Sequence, residues 1–184
     1  EASLKLAKAN FYKKDFDWAL QQVKVLKQSP SLLIANDAVE MFLLIQDNSA
    51  EDSLRVALQA YAKADLQMYQ NKNEEALQSF LTILEKHKGE SIEDETLLKI
   101  ADIYYQKKDY LKALSYYQNI LDNHKEGIYI DEALFFSAEI YRKHLLDNEK
   151  AKPLYEKMVL EHPDSLYYTE SRKQYRTLRG DTTI

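Results

Sequence analysis

Between residues 99 and 121 the chain reads KIADIYYQKKDYLKALSYYQNIL. Apolar positions fall at Ile100, Ala101, Ile103 and Tyr104, and again at Ala113, Leu114, Tyr117 and Ile120, three and four residues apart as on one face of a helix. The pattern predicts two amphipathic helices joined at Lys108-Asp109. A hairpin of this size cannot bury its own apolar face, so its meaning depends on whether it recurs.

It recurs at a fixed interval. Ala101 has counterparts at Ala64 and Ala138, each 37 residues away, and the same offset relates Ala76 to Ala113, Phe80 to Tyr117, Ile83 to Ile120 and His87 to His124. Ala151, Tyr155, Met158 and His162 follow at 38, with the extra residue expected in the turn from Lys143 to Lys150. Near the start, Ala7, Ala19, Val23 and Leu26 repeat the internal spacings.

Each copy has a physical logic. Alanine where two antiparallel helices cross lets the backbones approach, and the large residue four positions after the second alanine fills space against the next unit. Turns are expected at the polar breakers Asn71-Lys72-Asn73, Lys107-Lys108-Asp109 and Leu146-Asp147-Asn148, and past helix ends at Gly89 and Gly127, where a left-handed residue costs little. Ser91 to Asp94 reads as a capping box. Residues 31–63 fit less well. One helix is expected up to a turn at Asn48–Ala50, followed by an unbroken stretch from Asp52 to Asn71 and an irregular junction. After Pro163-Asp164 the polar segment SLYYTESRKQYRTLRG predicts a terminal helix closing the stack, as solenoids require.

This pattern resembles the tetratricopeptide repeat family over about three quarters of the chain, a coverage judged on its periodic copies. The third copy carries Ala101, Tyr104, Tyr110, Ala113, Tyr117 and Ile120, and the fourth Ala138, Tyr141, Ala151, Tyr155 and Pro163. The first two depart from the consensus with Asn10 and Gln67 at the early aromatic position, and alanine replaces the consensus glycine throughout. The resemblance implies an all-α, right-handed superhelical solenoid of antiparallel hairpins, about ten helices in one domain over residues 1–184. Its copies would span residues 1–30, 57–90, 94–127 and 131–163, with an irregular insert or degenerate repeat at 31–56 and a capping helix at 164–180. The likeness is to the C-terminal part of a larger bacterial repeat protein. Its ending resembles that of envelope-associated members, which implies an envelope or periplasmic setting rather than the cytoplasm. The chain opens at Glu1 without a methionine, as an excised or processed piece of a longer protein would.

Composition narrows the partners. With 45% hydrophobic and 30% charged residues the chain is a folded, water-exposed protein, and three Gly and three Pro are too few for the turns of a β-sandwich. A net charge of −5 argues against nucleic acid, whose phosphates demand clustered Lys and Arg. Apolar runs fall far short of the ~20 residues that span a bilayer, so no membrane insertion is expected. The absence of cysteine removes disulfides and thiolate chemistry and leaves the compartment's redox state open.

No catalytic constellation emerges. His87, His124 and His162 each lie eleven residues after the second alanine of their copy, a position that reads as a helix C-terminus where a partly cationic ring meets the dipole. Neighbouring copies would set these rings ~10 Å apart, beyond shared metal bonds. Glu74-Glu75, Glu93-Asp94-Glu95 and Asp131-Glu132 fall in first helical turns, where the dipole favours them. No enzyme activity, metal or cofactor is expected.

Fourteen tyrosines stand out. Tyr104, Tyr117, Tyr141 and Tyr155 take repeat-core positions, whereas the resemblance places others in the concave groove where ligands of the family lie. The groove positions are Lys8, Tyr12, Asp65, Tyr69, Asp102, Tyr105, Glu139 and Arg142, joined by Phe11 and Met68, and three of them form a row of acids at 37-residue intervals. Such a row beside tyrosines either suits a basic partner segment or is simply a set of solvated helix positions, and it has the wrong sign for the family's clamp on C-terminal carboxylates. The expected function is a non-catalytic scaffold that binds a protein or peptide. The alternative is a structural spacer or self-association module of a larger bacterial envelope or secreted protein, and the oligomeric state stays open.

Overall fold

The computed structural model describes residues 2–50, 54–124 and 127–181, and among them every regular element is helical. Ten α-helices follow in order: α1 (Ala2–Tyr12), α2 (Phe16–Leu26), α3 (Leu32–Ala50), α4 (Val56–Tyr69), α5 (Asn73–Lys86), α6 (Glu93–Gln106), α7 (Tyr110–Asn123), α8 (Ile130–Glu139), α9 (Asn148–Glu161) and α10 (Tyr168–Arg179). The chain divides into two compact units, Glu1–Thr96 and Leu97–Ile184, with the division inside α6. In the first, α1 packs on α2, α2 on α3, and α4 on α5, while α4 also touches α1 and α3. In the second, α7, α8, α9 and α10 pack each on the next. The result is an all-α repeat fold of helical hairpins.

The alanines are what lets the hairpins close. Ala7, Ala19, Ala64, Ala76, Ala101, Ala113, Ala138 and Ala151 are all 0% exposed, so a methyl is the largest group each crossing admits. The larger repeat residue of each copy is buried beside them at Val23, Phe80, Tyr117 and Tyr155. Around Ala138, Ala151 and Tyr155 the core of the last hairpin is completed by Phe135, Tyr141 and Leu154, with Tyr175 and Leu178 supplied by α10.

Four tight turns share one device. Lys14, Asn71, Lys108 and Leu146 all adopt left-handed backbone, with φ of 66°, 61°, 61° and 54°. In the first three the next residue donates its N–H to the carbonyl five positions back: Asp15 to Asn10, Lys72 to Gln67 and Asp109 to Tyr104, at 2.9–3.0 Å. This satisfies the carbonyls that a helix end leaves unpaired. Asp109 and Asp147 then cap the following helices by accepting from Lys112 N and Lys150 N.

Four local expectations are corrected. The extra residue of the fourth copy does not lengthen the turn: α8 continues into a π-helical turn, Ile140–His144, in which Leu145 N bonds Ile140 O and Asp147 N reaches Tyr141 O, six positions back. Wider i→i+5 bonding absorbs one residue without breaking the helix. Asn48–Ala50 is the last turn of α3, where the Asn48 and Ser49 side chains point back to the carbonyls of Leu44 and Ile45 within the helix. The stretch expected unbroken from Asp52 becomes helical only at Val56, after the left-handed Arg55 (φ 51°); Asp52 and Ser53 lie outside the described residues. Finally, α6 begins at Glu93, whose carboxylate reaches back to Gly89 N (2.7 Å), and this bond holds the start of the helix in place of a box at Ser91. Gly89 itself is left-handed, φ 81°.

Candidate partner-binding surfaces

The eight residues placed in the groove fall four to each unit. In the first unit, Lys8 and Tyr12 lie one turn apart on α1, and Asp65 and Tyr69 one turn apart on α4, which packs beside it. Tyr12 donates its hydroxyl to Asp65 Oδ2 at 2.9 Å, and its ring lies 6.1 Å from that of Tyr69. Burial pushes the Tyr12 phenol well above its ordinary range, reinforced by the Asp65 charge and hydrogen bond. It therefore stays a neutral donor. Lys8 is exposed, and Tyr69 is 71% exposed, its ring tilted at 37° to that of Tyr12.

In the second unit the acids are engaged. Tyr117 on α7 donates its hydroxyl to Asp102 Oδ1 (3.1 Å), and Tyr155 on α9 donates to Glu139. Arg142 adds an ion pair to Glu139 at 3.0 Å and a bond from its Nε to the Tyr155 oxygen at 3.1 Å, and Lys143 pairs with the same carboxylate. Glu139 is only 4% exposed. Burial alone would push its carboxyl up, but the hydrogen bonds from Lys143, Tyr155 and Arg142 outweigh it and hold the group below its usual range. Copies three and four thus use one pairing, in which a tyrosine of the second helix places its buried phenol on the acid of the first helix. Copy two has Phe80 in place of the tyrosine, and Asp65 takes Tyr12 instead. A buried hydroxyl needs an acceptor, which accounts for an acid at each of these positions.

Tyr105 is half-buried in an aromatic group that the sequence reading missed. Its ring meets Tyr110, Phe136 and His144 edge-on at 5.7–6.0 Å, while the Tyr110 and His144 rings stack at 4.0 Å. The π turn sets the position of His144, and that displacement has no signature in residue type. The other three histidines are the C-cap residues of α5, α7 and α9. His87 bonds Glu90 at 3.0 Å and His162 bonds Asp131 at 2.8 Å. Among the described residues no group of three His, Asp or Glu side chains could hold a metal, and no helix is long and apolar enough to cross a membrane.

Residues 95–126 and 132–165 each match a family model described as Tetratricopeptide repeat. The similarity to tetratricopeptide repeats covers these two segments. Comparison with curated proteins finds no match. The two matched segments hold the tyrosine–acid pairs Tyr117–Asp102 and Tyr155–Glu139, so these pairs fasten the matched hairpins from within. Repeats of this family are in general non-catalytic modules that bind other proteins.

Proposed function

We propose that the chain is a protein-interaction scaffold and that its first unit holds a basic side chain of a partner on the Tyr12–Asp65–Tyr69 group. The observation that carries this is the exposed Tyr69 ring set beside a carboxylate that is already oriented by the Tyr12 hydroxyl. A Lys or Arg over that ring gains cation–π attraction of ~0.5–2 kcal/mol, and Asp65 Oδ1 is left to accept a hydrogen bond from it. Tyr105 and Asp102 offer a related but more enclosed pair in the second unit. Glu139, held by Arg142, Lys143 and Tyr155, acts as structure and not as a docking charge.

The test uses a labelled peptide alternating Lys and Ala, followed by fluorescence anisotropy. Tyr69→Ala should weaken binding roughly three- to tenfold, and Asp65→Asn, which still accepts from Tyr12, should flatten the salt dependence. Glu85→Gln, an exposed acid elsewhere, should do neither. Equal effects from Asp65→Asn and Glu85→Gln would mean the charge acts only through the net field.

One observation favours the second reading, self-association. Trp18 and Val25 on α2 are 55% and 73% exposed, at register positions where the other copies carry Glu75, Lys112 and Lys150, and Thr82, Asn119 and Lys157. Sedimentation of the wild type against Trp18→Lys decides it: a dimer lost in the variant would establish that strip as an interface between copies.

A further inference from the structure

The terminal helix α10 has two unlike sides. Its inward side is spent on the fold: Ser171 is fully buried, and Tyr175 and Leu178 pack against Ala138, Ala151 and Tyr155. Its outward side lines up Tyr168, Arg172 and Arg176 in one row and Thr169, Lys173 and Thr177 in the next, around a shallow crease of about 230 Å³. The helix carries four cations against the single carboxylate of Glu170, in a chain whose net charge is −5.

The internal acids neutralise that row only in part. Asp181 is taken by Arg179 at 2.6 and 3.0 Å and is 3.8 Å from Arg176, and Glu170 accepts from Gln174 at 2.6 Å and is 3.9 Å from Lys173. Arg172 has no ion pair or hydrogen bond among the described residues. Arg172 therefore remains unpaired, and Lys173 and Arg176 stay exposed with only long ion pairs, all within two helical turns of a helix whose other side is fixed by packing.

From this we infer that the outward face of α10 is a docking surface for an acidic helical segment of a partner protein. Arg172 and Arg176 lie one turn apart, ~6 Å along the axis, the interval at which a facing helix presents carboxylates at i and i+4. Their planar forks take such carboxylates two bonds at a time. A membrane surface suits the helix less well, because an interfacial helix needs an apolar face to insert and that of α10 is used inside the fold. A nucleic acid strand would call for aromatic platforms between the cations, whereas only Tyr168 stands at one end of the row.

The test uses the full chain and a labelled helical peptide with Glu at every third or fourth position, beside its Gln counterpart. Wild type should bind the Glu peptide and not the Gln peptide. Arg172→Gln, Lys173→Gln and Arg176→Gln together should lose at least tenfold in affinity, against less than twofold for Lys13→Gln, Lys24→Gln and Lys72→Gln together, which remove the same charge elsewhere. Arg172→Lys with Arg176→Lys should fall between, since the charge survives and the fork does not. Circular dichroism confirms that each variant is folded, and Arg172→Gln alone, at a side chain with no internal partner, repeats the test at a site that cannot unfold the helix. Equal loss in the two triple variants, or equal binding of both peptides, overturns the inference. So does capture on phosphatidylserine vesicles, lost in the α10 variant, when the Glu peptide does not bind.

Discussion

At the scale of single residues, the three acids read as a row along the groove each accept a hydrogen bond from a tyrosine hydroxyl. Asp102 and Glu139 were legible as a periodic pair, but their partners Tyr117 and Tyr155 were legible only as packing residues, because the hydroxyl's need for an acceptor appears once the two helices of a hairpin face each other. Glu95 shows the reverse case. It sits in the first turn of α6, where the helix dipole was expected to favour an acid, yet it is 5% exposed and its Oε2 has no partner among the described residues. Burial, then Asp94 by hydrogen bond and charge, and Asp47 by charge, push its carboxyl up to about 10. A folded-state value above the unfolded one means the native state holds a proton the unfolded chain has released, so stability falls as pH rises from the ordinary carboxylate range toward that value. Glu95→Gln copies the protonated form and escapes the penalty. Urea midpoints should show the variant level with wild type near pH 4 and ahead by an amount on the order of 1–3 kcal/mol at pH 7 to 8; a difference independent of pH would mean the carboxyl is ionised in the fold.

At the scale of elements, the turns were readable and the irregularities were not. Polar breakers marked three of the four left-handed turns, since helix periodicity stops where no apolar face needs burying. The π turn at Ile140–His144 escaped because an extra residue can be absorbed by a longer loop or by wider helical bonding, and composition does not choose between them. The left-handed residues carry a measurable cost. A side chain with a Cβ loses ~1–2 kcal/mol in this region, while glycine gives back ~0.5–1 through its looser unfolded chain. Lys14→Gly, Lys108→Gly and Leu146→Gly should therefore each raise stability by about 0.5–1 kcal/mol. Asn71→Gly should change almost nothing, because asparagine already tolerates this conformation. Thermal melts of the four variants check the ordering, and a gain at Asn71 equal to that at Leu146 would contradict it.

At the scale of the whole molecule, what was legible is the interval of 37. It relates Ala64, Ala101 and Ala138, and Ala76 and Ala113, while Ala151 follows at 38 and Ala7 and Ala19 share the internal spacing; all eight sit at closed crossings because a repeat buries each hairpin by one rule. Residues 31–56 do not show the interval in sequence. The 19-residue α3 buries Ala38, Met41, Leu44 and Ile45 on its own terms, and nothing elsewhere in the chain repeats it. The basic face of α10 was likewise read only as a polar cap, since its sign stands out only when the pairing of each neighbouring acid is known. Periodicity also makes a prediction that no single site could. If each hairpin is closed by its own alanine crossing, then Ala19→Leu, Ala76→Leu, Ala113→Leu and Ala151→Leu, all at 0% exposure, should each overfill that crossing and cost about 1–3 kcal/mol. Ala2→Leu, exposed on α1, should cost little. Urea denaturation of the five variants measures this directly. Comparable losses at all four positions would extend the repeat rule to the first two hairpins, where the family model does not reach, whereas losses confined to Ala113 and Ala151 would restrict it to the matched segments.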